Sequence, residues 1–392
     1  MLWGSYNHLS CIYVCMQVSM VGANLLKRVH ERLAVIAGLP SAEPFAGISV
    51  LAVGDFQQLA PVAEPAVYKA PRAGYVALAE LWMSNFKVFE LKEIMRQLSD
   101  TTFAQLLGRL RIGQQTPADM DMLKSRQVHD DDQALDAHTH VFALNADVDD
   151  FNSRRLQSLP APSVTIHAKD KWPAEYKDPS MMDAEKRSGL PSALTLKAGA
   201  RVMRVRNVEC NIGLYNGALG SVVGFMPPSS TVPTAVLVLF DNHRLQAVAL
   251  ERHPSLNGAF PVERSEARFP IRRKNAFVEG TRLQFPLRVA FALTIHKCQG
   301  QTLDSVVVNL TGYFGPGQAY VALSRCKTLQ SLHITNFETK CLKVKYMLLS
   351  HFSVHFHSFS TCCFYKNAHR TWKDSVLRRC SSSMEQSTGR RC

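Results

Sequence analysis

Four near-continuous apolar runs constrain the fold of this chain most: "ISVLAVGD" (48–55), "FKVFEL" (86–91), "THVFAL" (139–144) and "LDSVVVNL" (303–310). A strand buried on one face alternates polar and apolar residues. A run that is apolar at nearly every position fits a strand covered on both faces, as in a parallel sheet flanked by helices. Helical patterns lie between these runs. Val21, Leu25, Leu26, Val29 and Leu33 recur every three to four residues and mark one apolar helix face. "LLGRLRIGQ" closes a helix whose N-cap is Asp100, and "ADVDDFNSRRLQSL" follows the 139–144 run directly. This alternation predicts stacked α/β layers.

The texture changes in the middle of the chain. Residues 168–192 mix Pro, Lys and Asp and read as a long surface loop. From 196 onward, "AGARVMRVRNV", "LYNGALGSVVGF" and "AVLVLFD" are short strand-like runs divided by an Asn-Gly turn and a Pro-Ser loop. That is the pattern of a small antiparallel barrel or a meander. Alternation returns with 303–310, "GQAYVALSR" and "LHIT" (332–335), so the all-β module is expected inside the second of two α/β units. No internal repeat of solenoid length is present.

The net charge of +13 points toward nucleic acid, but residues 341–392 hold +7 of it, with five of the ten cysteines. The body suits a reducing compartment, whereas the tail is compositionally foreign and is expected to be disordered. Its Cys362, Cys363 and His369 lack the C-x₂₋₄-C spacing of a zinc site, so no metal is predicted there. The basic pairs Arg378-Arg379 and Arg390-Arg391 fit either nucleic acid or solvent. "MLWGSYNHLSCIYVC" at the other end shares the tail's spliced-on look. No apolar stretch of about 18 residues predicts a membrane span, and no basic-then-apolar leader predicts secretion.

Chemistry-bearing residues gather at strand ends. "VLAVGDFQQLAPV" sets Gly54, Asp55, Gln57 and Gln58 at and past the C-terminal end of a buried strand, where open parallel sheets bind ligands. A glutamine there can orient a water or sense a terminal phosphate; an ordinary strand exit reads the same way. "LKEIMRQ" exposes Arg96 and Gln97 at the same edge. "FALTIHKCQGQTLDSVVVNL" crowds Thr294, His296, Lys297, Gln299 and Thr302 around Gly300, and amides, hydroxyls and a cation together suit phosphate. "GQAYVALSRCK" puts Arg325 on or after a short helix backed by Tyr320, Val321 and Leu323.

The order of these segments, with "RVMRVRNVECNIGLYNGALGSVV" between them, resembles the PIF family of superfamily 1 DNA helicases and their RecD-like relatives over residues 12–338. The resemblance implies two RecA-like parallel-sheet domains, the first incomplete, with a small β-barrel inserted in the second. It places the first domain at 1–90, the second at 91–195 and 285–338, the barrel at 196–284, and leaves 339–392 outside the family pattern. It implies ATP and Mg²⁺ in the cleft between the domains and 5′→3′ movement along single-stranded DNA. The associated processes are DNA repair, recombination and telomere maintenance, in the nucleus or alternatively the mitochondrion. By the same resemblance Gln58 meets the γ-phosphate, Gly54, Asp55 and Gly300 line the nucleotide, and Arg96 and Arg325 stabilise charge developing on the phosphate. An arginine in that role is worth about 10³–10⁵ in rate in comparable systems. Thr294, His296, Lys297, Gln299, Thr302 and Asn216 are the implied contacts to the DNA strand.

Two departures oppose full activity. The family's G-x-x-x-x-G-K-[ST] loop is not found in these 392 residues, and the two acids expected before "SM" fall on Met16 and Gln17. A methionine cannot hold a magnesium shell and a glutamine cannot take a proton from an attacking water. Only 15 residues precede Met16, so the chain is expected to be N-terminally truncated and ATPase-deficient. A single-strand-binding remnant and a non-functional fragment are the alternatives. Loss of the central strand that leads to the phosphate loop is expected to leave a gap or force neighbours to re-pair, making the first domain the less stable one.

Overall fold

The apolar runs become strands where the pattern places them. The computed structural model describes residues 12–38, 43–68, 81–91, 93–129, 132–173, 181–228, 232–272, 277–312, 314–342 and 360–365. His369 and the basic pairs of the tail lie outside these residues. The chain divides into two units, Met1–Ile94 with Lys345–Cys392, and Met95–Val344.

In chain order, the first unit opens with β1 (Ile12–Met16), β2 (Ser49–Gly54) and β3 (Lys87–Leu91). The second unit supplies β4 (Thr139–Phe142), β5 (Val164–His167), β6 (Lys169–Lys171), β7 (Ala193–Leu196) and β8 (Arg201–Arg204). It continues with β9 (Leu219–Met226), β10 (Ala235–Phe240), β11 (Phe260–Glu263), β12 (Ser265–Arg272) and β13 (Phe277–Gln284). Its last strands are β14 (Leu287–Val289), β15 (Ala292–Thr294), β16 (Val306–Asn309) and β17 (Leu332–Thr335). Finally β18 (Ser360–Tyr365) belongs with the first unit.

The first unit's sheet has the order β1-β2-β18-β3. β1 and β2 are parallel, with Met16 opposite Val53. β18 is antiparallel to both β2 and β3, so β1, β2 and β3 share one direction and β18 alone opposes them. The tail, expected to lack structure, therefore contributes a strand. Beneath the sheet Val18, Leu26, Phe45, Val50, Ala52, Phe56, Val67, Trp82 and Phe86 form one apolar core, with Trp82 and Phe86 stacked 4.3 Å apart. The helix Ala23–Ala37 buries Ala23, Leu26 and Ala34, whereas Leu25 is exposed. Val21 and Leu33 pack against the same core, so of the expected face Leu25 is the residue left toward solvent.

The second unit joins a parallel sheet, order β15-β4-β16-β17, to an antiparallel region. The five-stranded sheet β11-β10-β9-β8-β14 is open, with β11 and β14 at its edges. A second sheet has the order β12-β13-β6, and β5 pairs with β7. This region begins at β5, well before the expected residue 196. The reason is visible in the 168–192 stretch, which is not simply a loop: β6 pairs with β13 and a helix spans Met181–Ser188. Fully buried Arg282 binds Asp170 through Nε and Nη2 at 2.7 and 2.6 Å and reaches Leu190 O and Ser192 Oγ. A buried ion pair of this kind is held only with near-complete hydrogen bonding. The helix His243–Arg252, capped by Asn242, was also unexpected; its Leu245 and Ala249 pack inward.

Candidate functional site

In the first unit, β2 ends against the turn that follows β1. Gly54 is required there, since a Cβ would stand 2.8 Å from the backbone nitrogen of Val18. Asp55, 4% exposed, then ties the loop together: its Oδ1 accepts from Gln57 N at 3.0 Å and its Oδ2 from Gln58 Nε2 at 3.1 Å. Asp55 thereby fixes the orientation of the Gln58 amide. Met16 closes β1, and the exposed Gln17 adopts a left-handed φ of 57°. A magnesium ion requires hard oxygen ligands. Met16 and Gln17 supply no carboxylate for it.

The second unit assembles a cluster from segments far apart in sequence. Arg96 donates from Nε to Thr302 Oγ1 at 3.0 Å and from Nη1 to Ser324 O at 3.2 Å. Arg325, 1% exposed, donates from Nε to Val321 O at 2.6 Å and from Nη2 to Ser324 Oγ at 2.8 Å. The helix Gln318–Leu323 holds it in place, burying Ala319, Val321, Ala322 and Leu323. Burial, reinforced by the nearby Arg325 charge, lowers the Arg96 guanidinium to about 10. Two arginines that repel one another inside a packed site favour an incoming polyanion, which relieves that repulsion. Burial also pushes the flanking Cys298 and Cys326 thiols up, to about 11 and about 12, leaving them un-ionised and inert.

Gln97, expected to be exposed, is buried. Its Nε2 donates to the carbonyls on both sides of Arg325, Ser324 O at 3.3 Å and Cys326 O at 2.8 Å. Residue type gave no sign of this, because a glutamine clasping two carbonyls looks like any polar loop residue until the chain folds.

Of the expected DNA contacts, Thr294 is buried at the end of β15, whereas His296 and Lys297 are exposed on the one-turn helix Ile295–Cys298. Crowding by neighbouring protein atoms, which partly desolvates its ammonium, and the charge of Arg288 lower Lys297, against the opposing pull of Asp149. Gln299 and Gly300 follow, and Thr302 is engaged by Arg96. Asn216 and Gly217 reach the same loop from the antiparallel region. Asn216 N donates to Asn207 Oδ1, and a Cβ on Gly217, whose φ is 104°, would lie 2.9 Å from Gln301 Nε2. Gln301 Nε2 itself donates to Lys297 O. The second unit therefore brings Arg96, Thr302, Arg325 and the 294–302 loop together and sets the Asn-Gly turn beside them. Gly54, Asp55 and Gln58 stand together in the first unit.

Residues 8–120 match the model of the PIF1-like helicase family, and residues 185–225 match the DNA helicase Pif1 2B domain. The ATP-dependent DNA helicase PIF1 of Danio rerio is 31% identical over 342 residues, covering 87% of this chain and 48% of that protein. The Homo sapiens PIF1 is 32% identical over 328 residues, covering 83% and 46%. The chain spans about half the length of the curated relatives it matches. Among solved structures, Pif1 helicase from Candida albicans superposes with a TM-score of 0.67 at 26% identity, covering 87% of this chain and 76% of that one. Bacteroides Pif1 bound to ssDNA gives 0.62 at 26% identity, covering 86% and 74%.

Proposed function

Because the chain belongs to the PIF1-like helicase family of superfamily 1, we propose that it acts on single-stranded DNA with the machinery of an ATP-dependent DNA helicase. Its setting is DNA repair, recombination or telomere maintenance, in the nucleus or the mitochondrion. The observation that carries this reading is the cluster of Arg96, Thr302 and Arg325 beside the 294–302 loop. Arg325 and Arg96 are the groups suited to a nucleotide's terminal phosphate, and Gln58, oriented by Asp55, to the water or phosphate at the other unit's sheet edge. ATP supplies the driving energy in such enzymes. Lys297 and His296 supply exposed donors to a sugar-phosphate backbone, in a mode set by charge and largely blind to sequence.

The 392-residue chain, on this proposal, binds single strands without turning over ATP. Met16 and Gln17 stand where the family reading calls for acids, and neither replaces the magnesium ligand or the base. Fluorescence anisotropy with a labelled oligothymidylate across a salt series tests the binding half. Affinity should fall steeply with salt, and Lys297→Ala should flatten the log–log slope by about 0.7, the value for one single-strand phosphate contact. No binding at low salt removes the DNA reading. Strand-stimulated phosphate release from ATP tests the other half: robust turnover that Arg325→Ala abolishes would show the chain to be an active enzyme.

A further inference from the structure

We propose that the space between β2 and β3 is a strand-acceptor slot, and that residues 360–365 of the same chain are its resident donor, held antiparallel through main-chain pairing. The inference stands apart from the nucleotide reading. β18 lies inside the sheet and not at its rim, for it pairs with a neighbour on each side. On one side Thr361 to Tyr365 face Gly54 to Val50; on the other, Ser360 to Phe364 face Leu91 to Lys87. Cys363 lies within both ladders, opposite Ala52 and Val88.

The direction of β18 is informative. Strands joined by helical crossovers come out parallel to one another, as β1 and β2 do. β18 instead follows the whole second unit in sequence, so no crossover dictates its sense. It runs against its neighbours, which main-chain hydrogen bonding allows equally well. Without it, β2 and β3 would each present a row of unpaired N–H and C=O groups. One of those rows belongs to a strand whose Val50 and Ala52 are each 1% exposed. A slot between two strand edges needs an extended segment that can satisfy both, and peptide recognition by strand addition works on this chemistry.

Proline substitution tests this on the full chain. Cys363→Pro removes an N–H at the middle of the strand and clashes with continued pairing, whereas Ser382→Pro places the same residue outside β18. Amide hydrogen exchange is read at 50–54 and 87–91, with 219–226 of the second unit as internal reference. In Cys363→Pro the first two segments should exchange about tenfold faster or more while the reference holds. A synthetic peptide of residues 358–367 added in trans should restore protection, and the same peptide carrying proline at 363 should not. Unchanged protection in Cys363→Pro overturns the proposal. So does equal loss in Ser382→Pro, or rescue by both peptides alike.

Discussion

His140 is a histidine that the fold keeps neutral. It is 7% exposed on β4, its Nε2 lies 3.1 Å from Leu135 O, and its ring sits 4.2 Å from that of Phe151. Burial lowers it to about 4, against the raising effect of the Leu135 carbonyl; Arg155 and His138 add to the lowering and Asp136 opposes it. In the unfolded chain a histidine titrates near 6.5. Because the folded value is the lower one, stability is complete above about 6.5 and is lost as pH falls from there through 4, as the unfolded chain takes up the proton first. By pH 5 the cost is about 2 kcal/mol. Urea denaturation of the second unit at pH 7 and pH 5 should show that drop, and His140→Gln should flatten it. An identical drop in both proteins would assign the acid sensitivity elsewhere. In the first unit, Gly54→Ala should cost about 1–3 kcal/mol, since the added methyl meets the Val18 backbone and not a yielding side chain. Equal denaturation midpoints for the two proteins would mean that the Val18 turn moves aside freely.

At the scale of elements, Asp100 joins a helix to a distant loop. Its Oδ1 caps the helix Thr101–Ile112 by accepting from Phe103 N at 2.9 Å, while its Oδ2 accepts from Leu329 N at 2.9 Å, just beyond Arg325. Asp100→Asn keeps an acceptor for the cap but turns a donor toward Leu329; Asp100→Ala loses both. Loss of the cap alone is worth about 1 kcal/mol. Alanine should therefore lower thermal stability more than asparagine, while both variants release exchange protection at Leu329. Full protection of Leu329 in the asparagine variant would count against the second role. The two halves of Asp100 also mark what a reader of the sequence can and cannot see. The cap is local and follows from Asp before an apolar period. The bond to Leu329 spans the chain and leaves no local trace. The same division holds elsewhere. β4 and β16 announce themselves as apolar runs, but β6 is Lys-Asp-Lys and exists because β13 and Arg282 receive it. Arg96 and Arg325 stood out as cations at strand and helix ends. Gln97, which clasps the carbonyls on either side of Arg325, did not.

The whole molecule is one unit inserted in sequence within another: the chain leaves the first at Ile94 and returns to it at Lys345. The second unit closes its sheets with strands from within residues 139–335, whereas the first depends on a strand at 360–365. Limited proteolysis should accordingly cut the first unit before the second, and early cleavage within 164–289 would reverse that ranking. The dependence also sets an order of manufacture. Val50 and its partner Tyr365 are about 300 positions apart, so a ribosome releases β2 long before the strand that will lie beside it. The second unit, its strands complete once Thr335 has emerged, can settle while β2 and β3 still wait with open edges. The part of the chain made first is therefore the last to close. A nascent chain that stalls before residue 360 carries two adhesive strand edges into its crowded surroundings, where chaperones or aggregation meet them first.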